Sequence, residues 1–224
     1  ALQAGLLTPF QYFCVTDNVD LSGDDLWNGN KYNLERLADK LCNKERVRNI
    51  VDALHKYLSD EFNCRALCFC VTKEHADFMA EQLCLYGFEA CSLTSDTSNE
   101  VRAQIIKDFR DAKIHYLCVV DIFNEGVDIP EIDTVLFLRP TESLTIFLQQ
   151  LGRGLRLCVG KTELTVLDFV AQANKKYDFS ARFRALSLKP EKNVKKQVED
   201  GFAFLPHGCT IVMEKLARQY VLAN

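Results

Sequence analysis

Several signatures are missing from the sequence, and each absence argues against a class of protein. There is no run of about 18 apolar residues, so no membrane-spanning helix is predicted. The amino terminus lacks a charged segment followed by an apolar stretch and a cleavage site, so no secretory signal is predicted. The ten cysteines form no CxxC pair and no zinc-finger spacing with histidine, so no metal site is predicted. We expect a cytoplasmic protein with reduced thiols.

An excess of one charge is also missing. With 27 Lys and Arg against 31 Asp and Glu, the formal net charge of the 224 residues is −4. That balance argues against a polyanion-binding surface over the whole molecule but leaves local basic strips open. The chain lacks an initiator methionine and opens on the already apolar ALQAGLLTPF, which we interpret as a piece of a longer protein.

Short apolar runs alternate with helical patterns in the middle of the chain. The predicted strands are residues 65–71, 88–93, 114–120, 133–138 and 163–170. Thr72 is placed to cap the helix that Gly87 ends, and Thr97 with Glu100 has the spacing of a capping box for the next helix. Strands that alternate with helices indicate βαβ units and a parallel sheet. We therefore predict an α/β domain over residues 61–172, with its sheet sandwiched by helices.

The two flanks have different patterns. Residues 1–60 contain one strand candidate, 10–15, and two helical patterns at 33–42 and 44–58, so we interpret them as a connector. Residues 173–224 are predicted to be a helical extension, interrupted by Pro190 and Pro206.

Polar segments follow three of the predicted strands, at 72–75, 121–130 and 139–141. Ligands of open parallel sheets bind at the carboxyl ends of the strands. Arg153 and Arg156 end the next helix, and we expect them to converge with these segments on one edge. Ordinary alternatives remain open, because residues 124–126 suit a turn and the arginines suit a helix carboxyl terminus. His75 is expected to be solvated in the first turn of its helix.

Three stretches, in this order, resemble the second RecA-like domain of superfamily 2 helicases. CFCVTKEHADFMAEQL resembles motif IV, DIFNEGVDIPEIDTVLFLRPTES resembles motif V with the residues after it, and QQLGRGLR matches motif VI, Q-x-x-G-R-x-x-R. The order LRPT, QQLGRGLR and LDFV is similar to that in the type III restriction-like and DEAD/DEAH-type DNA helicase branch. The resemblance covers about residues 61–172 and implies a RecA-like fold.

The resemblance implies that Arg153 and Arg156 reach the triphosphate of ATP as arginine fingers. A planar guanidinium that is always charged suits a phosphoryl-transfer transition state, in which negative charge spreads over the outer oxygens. The ATP and its Mg²⁺ would be held by an N-terminal RecA-like domain of the same polypeptide. Four further residues are placed at the nucleotide by the resemblance: Gly126, Asp128, Gln149 and Gly152.

DNA is the second expected partner, bound through the backbone of a single strand or a duplex. The candidate contacts are Thr72, Lys73, Thr94 and Asp121. The chain departs from the family at Val120, where many motif V sequences have a threonine that contacts the nucleic-acid backbone. One side-chain hydrogen bond is therefore lost.

The chain lacks the motifs that hold a triphosphate. VGKT at 159–162 resembles the end of a Walker A loop, but Leu155 stands where the first glycine is required. There is also no DEAD- or DEAH-like tetrapeptide. We therefore predict half of an ATPase, inactive alone.

Two alternatives were weighed against this prediction. The first is a non-catalytic module of the same fold that binds nucleic acid or protein. It is disfavoured because the motif V and motif VI residues are all present. The second is a flavodoxin-like enzyme, which is disfavoured because no glycine-rich phosphate loop follows the first strand.

Overall fold

A computed structural model describes residues 7–29, 31–120, 129–141, 143–189 and 193–224. The strands in these ranges are β1 (Phe10–Leu21), β2 (Trp27–Asn28), β3 (Lys31–Tyr32), β4 (Ala66–Phe69), β5 (Ala90–Leu93), β6 (Tyr116–Val119), β7 (Thr134–Phe137), β8 (Leu164–Ala173) and β9 (Thr210–Met213). The helices are α1 (Leu34–Leu41), α2 (Lys44–Tyr57), α3 (Lys73–Leu85), α4 (Asn99–Arg110), α5 (Leu144–Gly154), α6 (Ser180–Leu186), α7 (Val194–Glu199) and α8 (Lys215–Ala223), with a 3-10 turn at Asp24–Leu26.

In this part of the chain, seven strands form one sheet in the order β5-β6-β4-β7-β8-β1-β9. Every neighbouring pair in this sheet is parallel. Strands β2 and β3 form a separate antiparallel pair. The predicted α/β fold is confirmed, and all five strands predicted between residues 61 and 172 are present.

Helices cover both faces of the sheet, because alternate residues of the buried strands point to opposite sides. Leu67 and Phe69 of β4 pack in the cluster that includes α5 and the carboxyl-terminal helices. Cys64, Cys68 and Cys70 pack on the other face with α2 and α3. The ten cysteines all lie in the described ranges and all are free thiols.

Polar side chains define where most helices begin. The side chains of Asn33, Asn43, Thr72, Ser98 and Ser143 accept hydrogen bonds from backbone amides of the first turns of α1 to α5. The predicted cap by Thr72 is therefore confirmed, and Gly87, at φ +89°, follows the end of α3. Such caps satisfy amides that have no partner within the helix.

The predicted capping box at Thr97 and Glu100 is wrong by one residue. Ser98 is the cap of α4, and the Oγ1 of Thr97 instead accepts from the amide of Thr94 at 3.2 Å. The reason is that two adjacent hydroxyl residues compete for one helix start. The upstream hydroxyl is used to close the turn after β5.

Both flanking segments contribute to the sheet. Strand β1 lies between β8 and β9 and pairs with β8 from Phe10 with Leu164 to Leu21 with Ala173, with a shift in register between Thr16 and Asp20. Strand β9 was not predicted, since residues 173–224 were expected to be helical. Its four residues are ordered by pairing with β1, a contact that local sequence does not reveal. The three-part division at 60 and 172 remains a prediction about organisation.

Candidate nucleotide and nucleic-acid sites

The residues of QQLGRGLR differ in whether they are buried or exposed. The inner face of α5 consists of Phe147, Gln150, Leu151 and Gly154, all buried. Gln149 and Arg156 are exposed, and Gly152 and Arg153 are partly exposed. The spacing from Gln149 to Gly152 and Arg153 places these three positions on the side of α5 that faces away from the core. Arg156 lies two residues past the end of the helix and is exposed. That the four residues form one site remains a prediction.

The carboxyl terminus of α5 lies at the amino-terminal edge of the sheet. Thr8, just before β1, donates from its amide to the carbonyl of Leu155 at 2.8 Å and from its hydroxyl to the carbonyl of Arg156 at 3.0 Å. A Cβ on Gly154 would meet Leu164, the first residue of β8. The expected convergence of all polar segments on one edge is therefore wrong for the arginines, because a helix between parallel strands must run back along the sheet.

The two glycines of this helix have different surroundings. A Cβ on Gly152 would meet nothing within 4 Å, whereas one on Gly154 would approach Leu164 Cδ1 at 2.4 Å. Gly154 is thus required for the close packing of α5 on β8. Gly152 leaves open space on the side that carries Arg153.

Lys161 follows α5 in the sequence, and its side chain binds backbone carbonyls at the carboxyl-terminal end of that helix. Its Nζ donates to the carbonyls of Gly154 at 2.5 Å, Arg156 at 2.8 Å and Pro130 at 3.4 Å. Burial lowers the pKa of Lys161 to about 8, although the nearby carboxylates of Asp133 and Glu131 act to raise it. Sequence reasoning set VGKT aside as an incomplete Walker A loop and missed this contact. The signal was present, since a lysine soon after a helix end can bond the last carbonyls.

The nucleic-acid candidates in the described part of the chain, Thr72, Lys73 and Thr94, lie at the carboxyl-terminal edge, after β4 and β5. Thr72 caps α3, and Lys73 pairs with Asp96 at 2.6 Å. The carbonyl of Thr94 accepts from Arg102 at 2.8 Å. Thr72, Lys73 and Val120 share a groove of about 630 Å³, whereas Thr94 lies outside it.

The walls of this groove are acidic. Glu35 and Asp39 of α1 and Glu74 of α3 line it together with Lys73. Because Lys73 is already paired with Asp96, the groove offers phosphate little uncompensated positive charge.

A buried polar network lies beneath the same edge and includes His75. Arg46 pairs with Asp17 at 2.9 Å and donates to the carbonyl of Leu138 at 2.8 Å. His75 is fully buried, and its Nδ1 accepts from the amide of Val71 at 3.1 Å. Burial, together with the positive charges of Arg46 and Arg139, lowers the pKa of His75 to about 3. The expectation of a solvated His75 is wrong, because the ring bonds back to the loop before α3.

A second buried ion pair joins β8 to the carboxyl-terminal segment. Asp168 accepts from Arg182 at 2.5 Å and from the hydroxyl of Tyr12 at 2.6 Å. Burial opposes the charged guanidinium, but Asp168 beside it raises the pKa of Arg182 well above its usual value. An aspartate within the apolar run TVLDFV was a sequence signal for such a buried partner.

Three predicted site residues, Asp121, Gly126 and Asp128, lie outside the described residues. Within the described part of the chain, no three His, Cys, Asp or Glu side chains form a group able to hold a metal ion. Nor do the described helices include one long and apolar enough to cross a membrane.

This parallel sheet, with motif IV after β4 and motif VI on α5, is that of the second RecA-like domain of superfamily 2 helicases. Residues 36–158, more than half of the chain, match the family described as helicase conserved C-terminal domain. The chain belongs to this family, whose members occur in ATP-dependent helicases.

Several known proteins are similar in sequence to part of the chain. A putative mitochondrial ATP-dependent helicase irc3 from Schizosaccharomyces pombe is 38% identical over 135 residues, which are 60% of this chain and 22% of that protein. The EcoKI endonuclease subunit, a type I restriction enzyme of Escherichia coli, is 32% identical over 137 residues, 55% of this chain and 12% of that protein. A 51.5 kDa protein of a Lactococcus phage is 29% identical over 160 residues, 71% of this chain and 34% of that protein. The chain thus spans about a third or less of these relatives.

Solved structures share the fold. The C-terminal domain of the DEAD-box protein Dbp5 has a TM-score of 0.55 at 15% identity, covering 97% of this chain and 98% of that one. A fragment of a putative HsdR subunit of a type I restriction enzyme from Vibrio vulnificus has a TM-score of 0.59 at 20% identity, covering 93% and 37%. At these identities the likeness concerns the fold.

Proposed function

We propose that the chain supplies arginine fingers and part of the nucleic-acid track to an ATP-dependent DNA helicase or translocase. The ATP site would be completed by an N-terminal RecA-like domain of the same polypeptide, and the two together are called the two-domain protein below. The observation that carries the proposal is the side of α5 that faces away from the core, which carries Gln149, Gly152 and Arg153, with exposed Arg156 two residues past the helix end.

The capping alternative for the arginines is weakened by the donors already present. The carbonyls of residues 154, 155 and 156 accept from Lys161 and Thr8. The ammonium group of Lys161 and the neutral amide and hydroxyl of Thr8 therefore already donate at the end of the helix, where its dipole is negative. This leaves a role for Arg153 and Arg156 outside the cap, and a triphosphate suits their charge.

Magnesium enters the proposal only through the other domain. Among the described residues, no group of three or more His, Cys, Asp or Glu side chains could hold the ion. When Mg²⁺-ATP is bound by the N-terminal domain, the metal supplies charge neutralisation at the phosphates. The chain adds the guanidinium groups, and alone we expect it to hydrolyse ATP no faster than buffer.

DNA is proposed over RNA as the nucleic acid. The support for DNA is the restriction endonuclease subunit, 32% identical over 137 residues; a DEAD-box RNA helicase of Oryza sativa is 31% identical over a shorter stretch of 100 residues. The candidate contacts Thr72, Lys73 and Thr94 lie at the sheet edge opposite the arginines, so the two ligands would not compete. The alternative is a non-catalytic interaction module, which the acidic groove and the net charge of −4 favour.

Arginine substitutions in the two-domain protein test the proposal. Arg153→Ala and Arg156→Ala should each lower kcat by about 10²–10⁴-fold, which overlaps the range of about 10³–10⁵ measured for arginine fingers. KM for ATP should change less, because the arginines act most on charge that develops in the transition state. Lysine at either position should restore little activity, because it lacks the planar fork.

The same two variants in the chain alone provide the control. Their free energy of unfolding should change by less than about 0.5 kcal/mol, as for other exposed sites. A loss of more than about 2 kcal/mol would indicate a structural role for the arginine and favour the capping alternative. Unchanged kcat with intact folding would favour the interaction module.

A further inference from the structure

Lys161 belongs to the one sequence motif that the proposed function does not use. VGKT follows α5 instead of leading into a helix, and β8 begins at Leu164. Gly160 has φ +84°, and the amide of Lys161 donates to the carbonyl of Cys158 at 3.2 Å, so the segment is a tight turn. The turn directs the lysine back under α5.

The contacts of Lys161 join two segments of the proposed nucleotide site. The carbonyls of Gly154, the last residue of α5, and of Arg156, two residues further on, accept from its Nζ. Pro130, whose carbonyl accepts from the same Nζ, is the last residue of the polar segment 121–130, with which the motif V stretch begins. One ammonium group therefore ties the end of this polar segment to the end of motif VI.

Chemistry explains why a lysine is needed here. An ammonium group has three N–H donors and no acceptor, which matches three carbonyl oxygens. Its charge also opposes the negative end of the helix dipole. Arg156 carries one of these carbonyls on its own backbone, so movement of the lysine moves an arginine directly.

We propose that Lys161 is a positioning residue, which fixes the backbone from which Arg153 and Arg156 reach the nucleotide. This inference rests on the proposed function of the two arginines. It gives the GKT sequence a role that is not phosphate binding.

The three hydrogen bonds of Lys161 should depend on pH. The neutral amine has only two N–H donors, so its lone pair would face the third carbonyl oxygen and that hydrogen bond would be lost. Burial lowers the pKa of Lys161 to about 8, so the clamp is complete below this pH and weakens above it. The charged and titratable groups that face or surround it are Glu131, Asp133, Cys158, Asp60 and Glu163. Asp133, Cys158 and Glu131 all raise the pKa of the lysine.

Steady-state ATP hydrolysis by the two-domain protein tests the proposal. Lys161→Met should lower kcat by about 10–100-fold, the cost of a misplaced catalytic group, with KM changed by less than about twofold. The wild-type protein should lose activity as pH rises through about 8. Lys161→Arg should retain activity to within about threefold and lose this alkaline limb, because arginine stays charged. Lys107→Met, which removes an exposed lysine of α4, should match wild type in rate and pH profile.

A second measurement uses the chain alone and needs no nucleotide. The ¹³Cε signal of Lys161 should titrate near pH 8, and the side-chain N–H signals of Arg153 and Arg156 should shift with the same midpoint. Side-chain N–H signals of Arg153 and Arg156 that do not shift as Lys161 titrates would overturn the inference. So would Lys161→Met with unchanged kcat while Arg153→Ala and Arg156→Ala lower it. If the arginine variants also leave kcat unchanged, the proposed function itself fails.

Discussion

Gly152 and Gly154 lie in the same turn of α5 but have different surroundings. Glycine inside a helix costs about 1 kcal/mol relative to alanine, so each glycine here needs a reason. Gly154 has a packing reason, since Leu164 would lie 2.4 Å from an added Cβ. The resemblance places Gly152 at the nucleotide, and a Cβ there would meet nothing within 4 Å, so an open path for the nucleotide is the reason we propose for this glycine.

Alanine substitutions at the two positions should therefore have opposite effects. In urea unfolding of the chain, Gly152→Ala should raise the free energy of unfolding by about 0.5–1 kcal/mol, because the helix gains without a clash. Gly154→Ala should lower it by about 1–3 kcal/mol, because buried Leu164 must move. In the two-domain protein Gly152→Ala should lower kcat/KM, since the methyl group stands on the side proposed to meet ATP. Equal stability effects would show that Gly154 is not tightly packed.

The elements were largely predictable from sequence, and their arrangement was less so. Strands β4 to β8 and helices α1 to α5 are local patterns of apolar residues, caps and turns, and each lies close to its predicted position. Strand β9 depends on pairing with β1 about 200 residues away, so local pattern reasoning missed it. The Arg46 and His75 network depends on packing between elements, so it was equally invisible.

For the candidate site too, local features were predictable from the sequence and the arrangement of elements was not. The face shared by Gln149 and Arg153 follows from helical spacing. The separation of the arginines from Thr72 and Lys73 required the direction of α5, which the polar segments alone did not indicate. Lys161 was missed because its motif was compared with a phosphate loop instead of with a helix end.

The loop after β5 limits the charge that the adjacent edge offers to nucleic acid. Asp96 in this loop holds Lys73 at 2.6 Å, and both side chains are substantially exposed. Asp96→Asn should raise the affinity of the chain for single-stranded DNA by about two- to fivefold, because a surface pair is worth up to about 1 kcal/mol. Fluorescence anisotropy at low salt measures this.

A control with the same change of charge separates a local effect from a general one. Asp111→Asn on the far end of α4 frees Lys107 from its pair at 2.5 Å. Its effect on DNA affinity should be smaller than that of Asp96→Asn. Equal increases from the two variants would mean that net charge alone governs binding, and Lys73 would lose its place in the proposed DNA track.

At the scale of the whole molecule, the sheet joins segments from both ends of the chain. Strand β1 pairs with β8 over nearly its whole length, and β9 pairs with the other side of β1. Arg182 of α6 neutralises Asp168 of β8, while the carboxylate of Glu214 accepts from Lys56 and Tyr57 of α2. The motifs lie between residues 61 and 172, but the contacts that stabilise them extend well beyond.

Truncation to residues 61–172 should therefore abolish cooperative folding. The fragment would lose β1, expose the strand face that α2 covers, and leave Asp168 buried without Arg182. Removing one partner of a buried ion pair alone costs about 3–5 kcal/mol, a large part of a typical domain's stability. Circular dichroism with thermal unfolding should show no sharp transition for the fragment, whereas residues 7–224 should unfold like the full chain. A cooperative transition in the fragment would establish it as an independent domain and make both flanks accessory.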